Sequence, residues 1–559
     1  MEMELTVKVL SSLEKCFLDE DLSGHPETKS FIMFRNQRLS FQIALHRADI
    51  TYRRAPRVSV EVGGALAPYV WIRQVTSVPS KYPAIPSWKD DDYLRTEPGL
   101  YPDLLQPLHY EGKITLAPLQ TESVWFDVEL VADVAPGVYA IPVCFRLPDS
   151  GEVIAETEAQ VEVLKAELPK QKTIHTEWFY CDCIAEYYGV SAFSEKHWCI
   201  IRSFLTTAVR NGINMILTPL FTPELDTYVG GERLTTQLMD VRVVGKNQYE
   251  FDFALLGRWI DLCLECGVEY FEFPHFFTQW GSEHAPKIVA RVGNRKKRIF
   301  GWETDSMGEE YQAFLSQLLP ALVAYLKEKG IDQKCFFHVS DEPKLENLDM
   351  YRRCRESLSR YLGDYPIIDA LSDFDFYQSG AISKPIPAIK HSDPFLAAEI
   401  PGLWLYYCSA GGNNLGTTDR LIGMPLARTR VLGVQLYRYH IEGFLNWGYN
   451  FYNNQYSYDR INPFLDTTGD FFSPSGDTFL VYPGKNGEAW ESIRLNAMRE
   501  AMEDIRALEL YEEHFGRDAA DALLREVAGM EITVWSYPRS ADFLLTLRRR
   551  IAEAIRDQK

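Results

Sequence analysis

Between residues 172 and 451 the chain alternates eight times between short apolar runs and amphipathic stretches, and this alternation restricts the fold more than any other feature. The apolar runs cover 173–181, 213–221, 268–277, 335–340, 365–371, 386–391, 402–409 and 443–451, and they read as buried parallel strands. Helical patterns such as "EKHWCIIRSFLTTAVRNG", "FALLGRWIDLCLECG" and "EEYQAFLSQLLPALVAYLKEKG" stand between them. Gly212, Gly267, Gly330 and Gly363 sit where such helices should stop, since glycine accepts the left-handed backbone of a helix end. Alternating strand and helix predicts a parallel sheet, and eight repeats predict a (β/α)8 barrel. The helix after "IPAIKHSD" is weak, so an irregular barrel is expected.

The barrel is assigned to 169–455. Residues 1–168 read as an N-terminal β-sandwich: "FIMFRNQRLSFQIALH", "RVSVEVGG", "SVWFDVELVA", "GVYAIPVCFRL" and "IAETEAQVEVLKAEL" alternate or are β-branched between Gly, Pro and Asp turns. The last two predict a hairpin turning at "PDSG". A stretch rich in proline and aromatics, 76–107, reads as a long loop packed on a neighbour. Two insertions in the barrel, 232–253 and the basic 291–308, read as solvated surface loops, although Arg291, Arg295 and Lys296 could instead meet an acidic substrate. Residues 456–559 turn helical after a Pro–Gly turn, with Tyr482 expected to pack and Arg494 to pair with Glu503 or Asp504.

A net charge of -20 leaves no basic footprint for nucleic acid or an anionic membrane. No apolar stretch approaches the roughly 20 residues that cross a bilayer. The N-terminus, "MEMELTVKVLSSLEKCFLDEDLSG", lacks the basic and apolar regions of a signal peptide, so with Met1 as native start a cytoplasmic protein is expected. Cys181 with Cys183 and Cys263 with Cys266 are the only close cysteine pairs, and nothing supplies the other half of a zinc site. Reduced, structural thiols are expected, with no metal and no cofactor.

Barrel chemistry belongs at the C-terminal ends of the strands. There "CFFHVSDEP" ends the fourth apolar run in adjacent acids, Asp341 and Glu342, before Pro343. Adjacent strand residues point to opposite faces, so two such acids can share one site only where the pleat is lost. The same residues also suit a helix start, with acids near the N-terminal dipole and Pro in the first turn. Other strands bring Glu177 and Trp178, Glu272 and His275, His338, Asp369, Tyr406 and Tyr407, and Asn446, Trp447, Tyr449 and Asn450 to the same rim. Acids and amides for hydroxyls, with flat rings for an apolar sugar face, point to carbohydrate. Two acids adjacent in sequence seldom straddle a glycosidic bond as in ordinary glycosidases, and suit substrate-assisted hydrolysis of a 2-acetamido sugar better. An ionised Asp341 would help keep a proton on Glu342, and Tyr406, Tyr407 or Tyr449 is a candidate donor to the acetamide oxygen.

The "SDEP" strand end, "EGFLNWGYNFYN" and "GDTFLVYPGKNGEAWESIRLNAMREAMEDIRALELYEE" resemble glycoside hydrolase family 123 and its bacterial relatives. The last stretch follows that group's pattern G-D-x-x-L-x-Y-P-G, then S-I-R, then R-E-x-x-E-D. The resemblance implies a retaining exo-β-N-acetylgalactosaminidase acting by neighbouring-group participation, with Asp341 stabilising the acetamide and Glu342 as general acid/base. It also implies a sandwich before the barrel. The lack of an export signal differs from many secreted members and favours imported oligosaccharides. Two other readings stand beside it: a glycosidase for a sugar without the acetamide, pairing Glu342 with a rim carboxylate such as Glu272 or Asp369, and a non-catalytic carbohydrate-binding protein.

Overall fold

The computed structural model describes residues 4–50, 55–108, 112–131, 134–408 and 415–556. Its centre is a ring of eight parallel strands: Ile174–Glu177, Met215–Leu217, Tyr270–His275, Cys335–His338, Ile368–Ala370, Lys384–Ile386, Trp404–Tyr406 and Gly443–Asn446. The seventh, eighth, first, second, third and fourth form one continuous sheet, in that order, and the fifth and sixth form a pair. Parallel bridges Phe337–Ile367 and Ala388–Tyr406 attach that pair to the fourth and seventh strands and close the (β/α)8 barrel. Seven strands fall within the expected apolar runs, and the sixth shares only Ile386 with its own. The sixth starts two residues earlier than expected and stops at Ile386, where Pro385 and Pro387 withhold two amide donors from the ladder. The expected end of the seventh run, Ser409, lies outside the described residues.

Helices Glu195–Arg210, Ala254–Cys266, Glu309–Glu328 and Leu348–Leu362 cover the barrel. Ser194 caps the first of these by accepting from the His197 amide, and Gly267, with φ of 94°, ends the second in left-handed backbone. After the sixth strand comes only a five-residue helix, Asp393–Ala397, where the helical pattern is weak.

Residues 5–167 form two five-stranded sheets. Between them the rings of Phe31, Phe41 and Phe126 stack at 5.1 and 5.0 Å, in a core that includes Val58, Ile141, Phe145 and Val161. The hairpin Gly137–Arg146 with Val153–Glu167 forms as expected. The 76–107 stretch is only partly a loop. Strands Val70–Ser80 and Gly99–Pro107 take its two ends and pair antiparallel, because Pro79 and Pro102 occupy positions the ladder tolerates. The remainder does pack on a neighbour: Asp90 takes a bidentate pair from Arg428 at 2.7 Å.

The two barrel insertions are not loops. Strands Gln248–Asp252, Asp240–Gly245, Ile288–Val292 and Arg295–Phe300 form one four-stranded sheet in that order. Each insertion is a hairpin, turned through Asn247 and Gly293 at positive φ, and the two join through a parallel pairing. Arg291 pairs with Asp240 at 2.9 Å, and Arg295 and Lys296 are exposed.

The C-terminal region is the helices Ile493–Phe515, Arg517–Ala528 and Ala541–Arg556. Tyr482 is buried as expected, but Arg494 grips Asp103 of the sandwich at 2.7 and 2.9 Å, not Glu503 or Asp504. Glu503 pairs with Arg499 and Asp504 with Arg430 and Arg548. All ten cysteines are free, six of them buried and Cys199 exposed. Among the described residues no helix is long and apolar enough to cross a membrane.

Candidate active site

The fourth strand ends at His338, three residues before Asp341, and the backbone then leaves the pleat. Three contacts shape this departure. The Val339 amide donates to Asp369 at 3.0 Å, the Ser340 hydroxyl donates to the Thr278 carbonyl at 2.8 Å, and the Trp280 amide donates to the Asp341 carbonyl at 3.2 Å. Glu342 then adopts φ of 42°, a left-handed conformation that a non-glycine residue holds only under constraint from its surroundings. The result brings both carboxyl groups to one cavity. The helix-start role does not hold, because Leu348–Leu362 begins after a 3-10 turn at Leu345–Asn347, with Asn347 at its cap and Asp349 in its first turn.

The cavity at the barrel mouth has two chambers. The inner one, about 240 Å³, is lined by Trp178, Asp341, Glu342, Tyr406 and Trp447 among the residues singled out by sequence. The outer one, about 770 Å³, shares Glu342, Tyr406, Trp280, Tyr456 and Cys408 with it and adds Lys344, Asp373 and Lys390. Asp341 faces the inner chamber and Glu342 faces both. The Tyr406 hydroxyl donates to Glu342 at 2.5 Å. Burial, and then Glu342 beside it, push the Asp341 carboxyl well above the usual carboxylate range.

Glu272, His275, His338 and Asp369 are buried outside this lining, in a layer of polar contacts. His338 faces a carboxylate with each ring nitrogen, Glu272 at 2.6 Å and Asp369 at 3.1 Å. Both nitrogens therefore donate, and the ring is an imidazolium. Burial opposes that charge, but the two hydrogen bonds outweigh it and hold its pKa up to about 9. Glu272 also accepts from the Trp178 indole at 2.8 Å and from Thr176 at 2.5 Å, so the layer fixes the ring that walls the inner chamber. Tyr351 donates to Asp369 at 2.5 Å. His275 lies 4.2 Å from His338, centroid to centroid, and burial followed by that neighbouring charge keeps it neutral. Ligand atoms of His275, His338 and Asp369 lie within 4.8 Å of one another, the spacing of a metal site. A cation there would compete with the two bonds that His338 already makes.

The other expected residues are structural in their contacts. Glu177 takes Arg420 at 2.6 Å and His175 at 3.2 Å, and Arg420 goes on to Asn446 and to the Gly448 and Asp477 carbonyls. Asn450 bonds both backbone groups of Tyr180. Tyr449 donates to the Phe204 carbonyl, and Tyr407 is buried against Phe444; neither lines the cavity. Of the three candidate tyrosines, only Tyr406 reaches it.

Sequence reading missed Asp226, Gln279, Trp280 and Tyr456, all of which line the inner chamber. Asp226, Trp280 and Tyr456 have φ of 45°, 60° and 59°, so left-handed non-glycine backbone concentrates around this cavity. Asp226 and Trp280 lie nine and five residues beyond the second and third strand ends, in the loops where a barrel carries its site.

Residues 178–511 match the family model described as glycoside hydrolase 123, catalytic domain. No curated protein matches the chain. Among solved structures, a family 123 glycoside hydrolase from Clostridium perfringens, studied for glycolipid glycan hydrolysis, aligns over 99% of this chain and 98% of its own, with a TM-score of 0.71 and 16% identity. A Bacteroides uniformis β-glucuronidase aligns over 80% of this chain and 47% of its own at 10% identity and a TM-score of 0.29. A β-glucuronidase from Ruminococcus gnavus aligns over 89% and 68% at 8% identity and 0.32. With its catalytic-domain match covering more than half of the sequence, the chain belongs to glycoside hydrolase family 123.

Proposed function

We propose that the protein is a retaining exo-glycosidase that removes a terminal β-linked 2-acetamido-2-deoxy sugar, N-acetylgalactosamine foremost, with assistance from the substrate's own acetamide. One observation carries this reading: Asp341 faces only the inner chamber, whereas Glu342 stands where the two chambers meet. A group that serves the acetamide must lie beside the ring being released. A group that protonates the bridging oxygen must lie between ring and leaving group. The 240 Å³ chamber suits one terminal sugar, and the 770 Å³ chamber takes the rest of the substrate.

In the first step the acetamide oxygen attacks the anomeric carbon as the glycosidic bond breaks. Glu342 gives its proton to the departing oxygen, and Asp341 accepts a hydrogen bond from the acetamide N–H as positive charge grows on the oxazolinium ring. In the second step Glu342 takes a proton from water, which attacks the same carbon and reopens the ring with net retention. In the free enzyme burial and the adjacent Glu342 raise the Asp341 carboxyl, which favours a proton on it. A sugar N–H set against Asp341 favours that residue's anion and leaves the proton for Glu342. Trp178 and Trp447 supply flat walls for the ring. The Clostridium perfringens relative's association with glycolipid glycans supports a glycoconjugate substrate.

Of the carboxylates named for the reading without an acetamide, Glu272 and Asp369 are buried against His338 and neither lines the inner chamber. The deciding experiment assays aryl β-glycosides of N-acetylgalactosamine, N-acetylglucosamine, galactose and glucose with wild type, Glu342→Gln and Asp341→Asn. Turnover confined to the 2-acetamido sugars, lost in both variants and blocked by a thiazoline mimic of the oxazoline, is expected. Comparable turnover of galactoside or glucoside would eliminate substrate assistance.

A further inference from the structure

Asp226 is a third carboxylate in the inner chamber, and the two-step reaction proposed above gives it no part. It enters from the loop after the second barrel strand, away from the fourth and seventh strands that carry Asp341, Glu342 and Tyr406. Its position is fixed on several sides. Its amide donates to the Gln279 side chain at 2.7 Å, and Gln279 in turn donates to the Thr227 carbonyl at 3.1 Å. Its Oδ2 accepts from the Tyr456 amide at 3.0 Å, and its carbonyl accepts from the Ser457 hydroxyl at 2.8 Å. Two loops, after the second and eighth strands, are thus fastened together through one acidic residue, which holds left-handed backbone.

Those contacts leave Oδ1 with no hydrogen-bond partner among the described residues, on a side chain that lines the chamber. Nor does Asp226 form a salt bridge among them: the neighbouring Arg233 is committed to Asp182 at 2.7 and 2.9 Å. Two other polar groups of the lining are taken, since Gln279 uses both ends of its amide and Tyr180 donates to the Trp447 carbonyl at 2.9 Å. A carboxylate oxygen only accepts, and a sugar hydroxyl is the donor that a glycosidase pocket brings to it.

We infer that Asp226 is a specificity residue that accepts hydrogen bonds from the sugar hydroxyls farthest from the acetamide, O4 and O6, and so selects the ring admitted to the inner chamber. This rests on the substrate reading above for the sugar's orientation, with its reacting end at Asp341 and Glu342. Burial pushes the Asp226 carboxyl up to about 6, against the pull of the Tyr456 amide, so hydroxyl donors at Oδ1 would favour its charged form.

The test is a substrate–variant cycle. Aryl β-N-acetylgalactosaminide and its 4-deoxy and 6-deoxy counterparts are assayed with wild type, Asp226→Ser and Asp226→Asn; the asparagine variant keeps an acceptor for the Tyr456 amide and so guards the loop. On the parent sugar kcat/KM should fall about thirtyfold in the serine variant and about tenfold in the asparagine variant, the scale of a hydrogen bond to a charged group. On a deoxy sugar lacking the hydroxyl that Asp226 holds, the same substitutions should cost less than about threefold. Equal losses on all three substrates, or no loss on the parent, would overturn the assignment and leave Asp226 a brace between loops. Failure of the substrate-assisted reading shows separately, as wild-type turnover of sugars without the acetamide, and the cycle is then run on the deoxy forms of whichever sugar is hydrolysed.

Discussion

Two regions of this molecule bury carboxylates and treat them in opposite ways. At the seam where the helix Ile493–Phe515 packs on the sandwich and the helices beside it, buried acids meet guanidinium groups. Asp103 takes Arg494, Glu491 takes Arg38 and Arg73, and Asp504 takes Arg430 and Arg548. Burial alone would raise Glu491 and Asp504, yet the paired arginines outweigh it and hold both below the usual carboxylate range. At the barrel mouth Asp341 and Asp226 have no such partner among the described residues, and burial drives both upward. The seam uses charge to fix how two layers meet, whereas the mouth leaves charge unsatisfied so that a substrate can complete it.

The largest expected effect removes chemistry and leaves the fold. Glu342→Gln should lower kcat by about 10² to 10⁴, the range for loss of a general acid/base, and Asp341→Asn should approach it. Neither should lower the thermal midpoint, because each relieves carboxylate crowding at the mouth; a midpoint drop matching the activity loss would mean that the pair is structural. The converse holds at the seam. Arg494→Met strands Asp103, which is fully buried, and should destabilise by about 3–5 kcal/mol in urea unfolding. The protein that remains folded should keep its kcat. Replacing Asp103 by Leu as well should recover much of the loss, and failure to recover would show that the Arg494 bonds to the Gly476 and Phe479 carbonyls matter more than the ion pair.

The seam also shows what a sequence discloses and what it hides. Seven of the eight barrel strands were legible, because a strand covered on both faces must be apolar throughout and helices must intervene; the sixth, at Lys384–Ile386, was misplaced onto a following 3-10 turn. The place of "SDEP" at the mouth was legible because a barrel strand's C-terminal end lies there. Arg494 was assigned a partner nine or ten residues along its own helix, and its true partner, Asp103, is 391 residues away. Periodicity describes an element's neighbours along the chain and says nothing about which distant layer it meets. Asp226 and Trp280 stayed hidden for a related reason: they lie in loops whose path depends on contacts between loops, such as the Asp226–Tyr456 bond. The insertions were misjudged on charge, since "RVGNRKKRIF" reads as solvated, while a two-residue Gly293–Asn294 turn between alternating flanks was the available sign of a hairpin.

A pH comparison sharpens the contrast at a smaller scale. Asp226 has its pKa raised by folding, from 3.8 to about 6. Between those values the folded state binds the extra proton, so its contribution falls as pH rises through the window and stays fully unfavourable above it. Asp226→Asn should therefore stabilise the protein by about 3 kcal/mol at pH 8 and by almost nothing at pH 3. Glu491 and Asp504 have the opposite sign: their contribution is complete above the unfolded carboxylate range and drains away as pH falls through it. Urea midpoints measured from pH 3 to 8 should show the variant and wild type separating as pH rises, while both weaken at the acid end. Parallel curves would mean that Asp226 is no less at ease charged in the folded protein than in the unfolded chain.

Tyr406→Phe is the smallest change and the most discriminating, because it deletes one hydroxyl from a ring that walls both chambers. That hydroxyl donates to Glu342 at 2.5 Å, so it either orients the acid or is borrowed by the substrate's acetamide when the sugar arrives. In both cases kcat/KM should fall about tenfold, the scale of one hydrogen bond to a charged group, with little change in stability, since the phenylalanine keeps the packing. The two roles separate on the thiazoline mimic. A hydroxyl that only orients Glu342 leaves its affinity nearly unchanged, whereas one that reaches the acetamide weakens binding by the same tenfold. The second outcome would put the donor for the acetamide on the seventh strand, across the inner chamber from Asp341, so that the reacting group is held between a carboxylate from one side of the barrel and a phenol from the other.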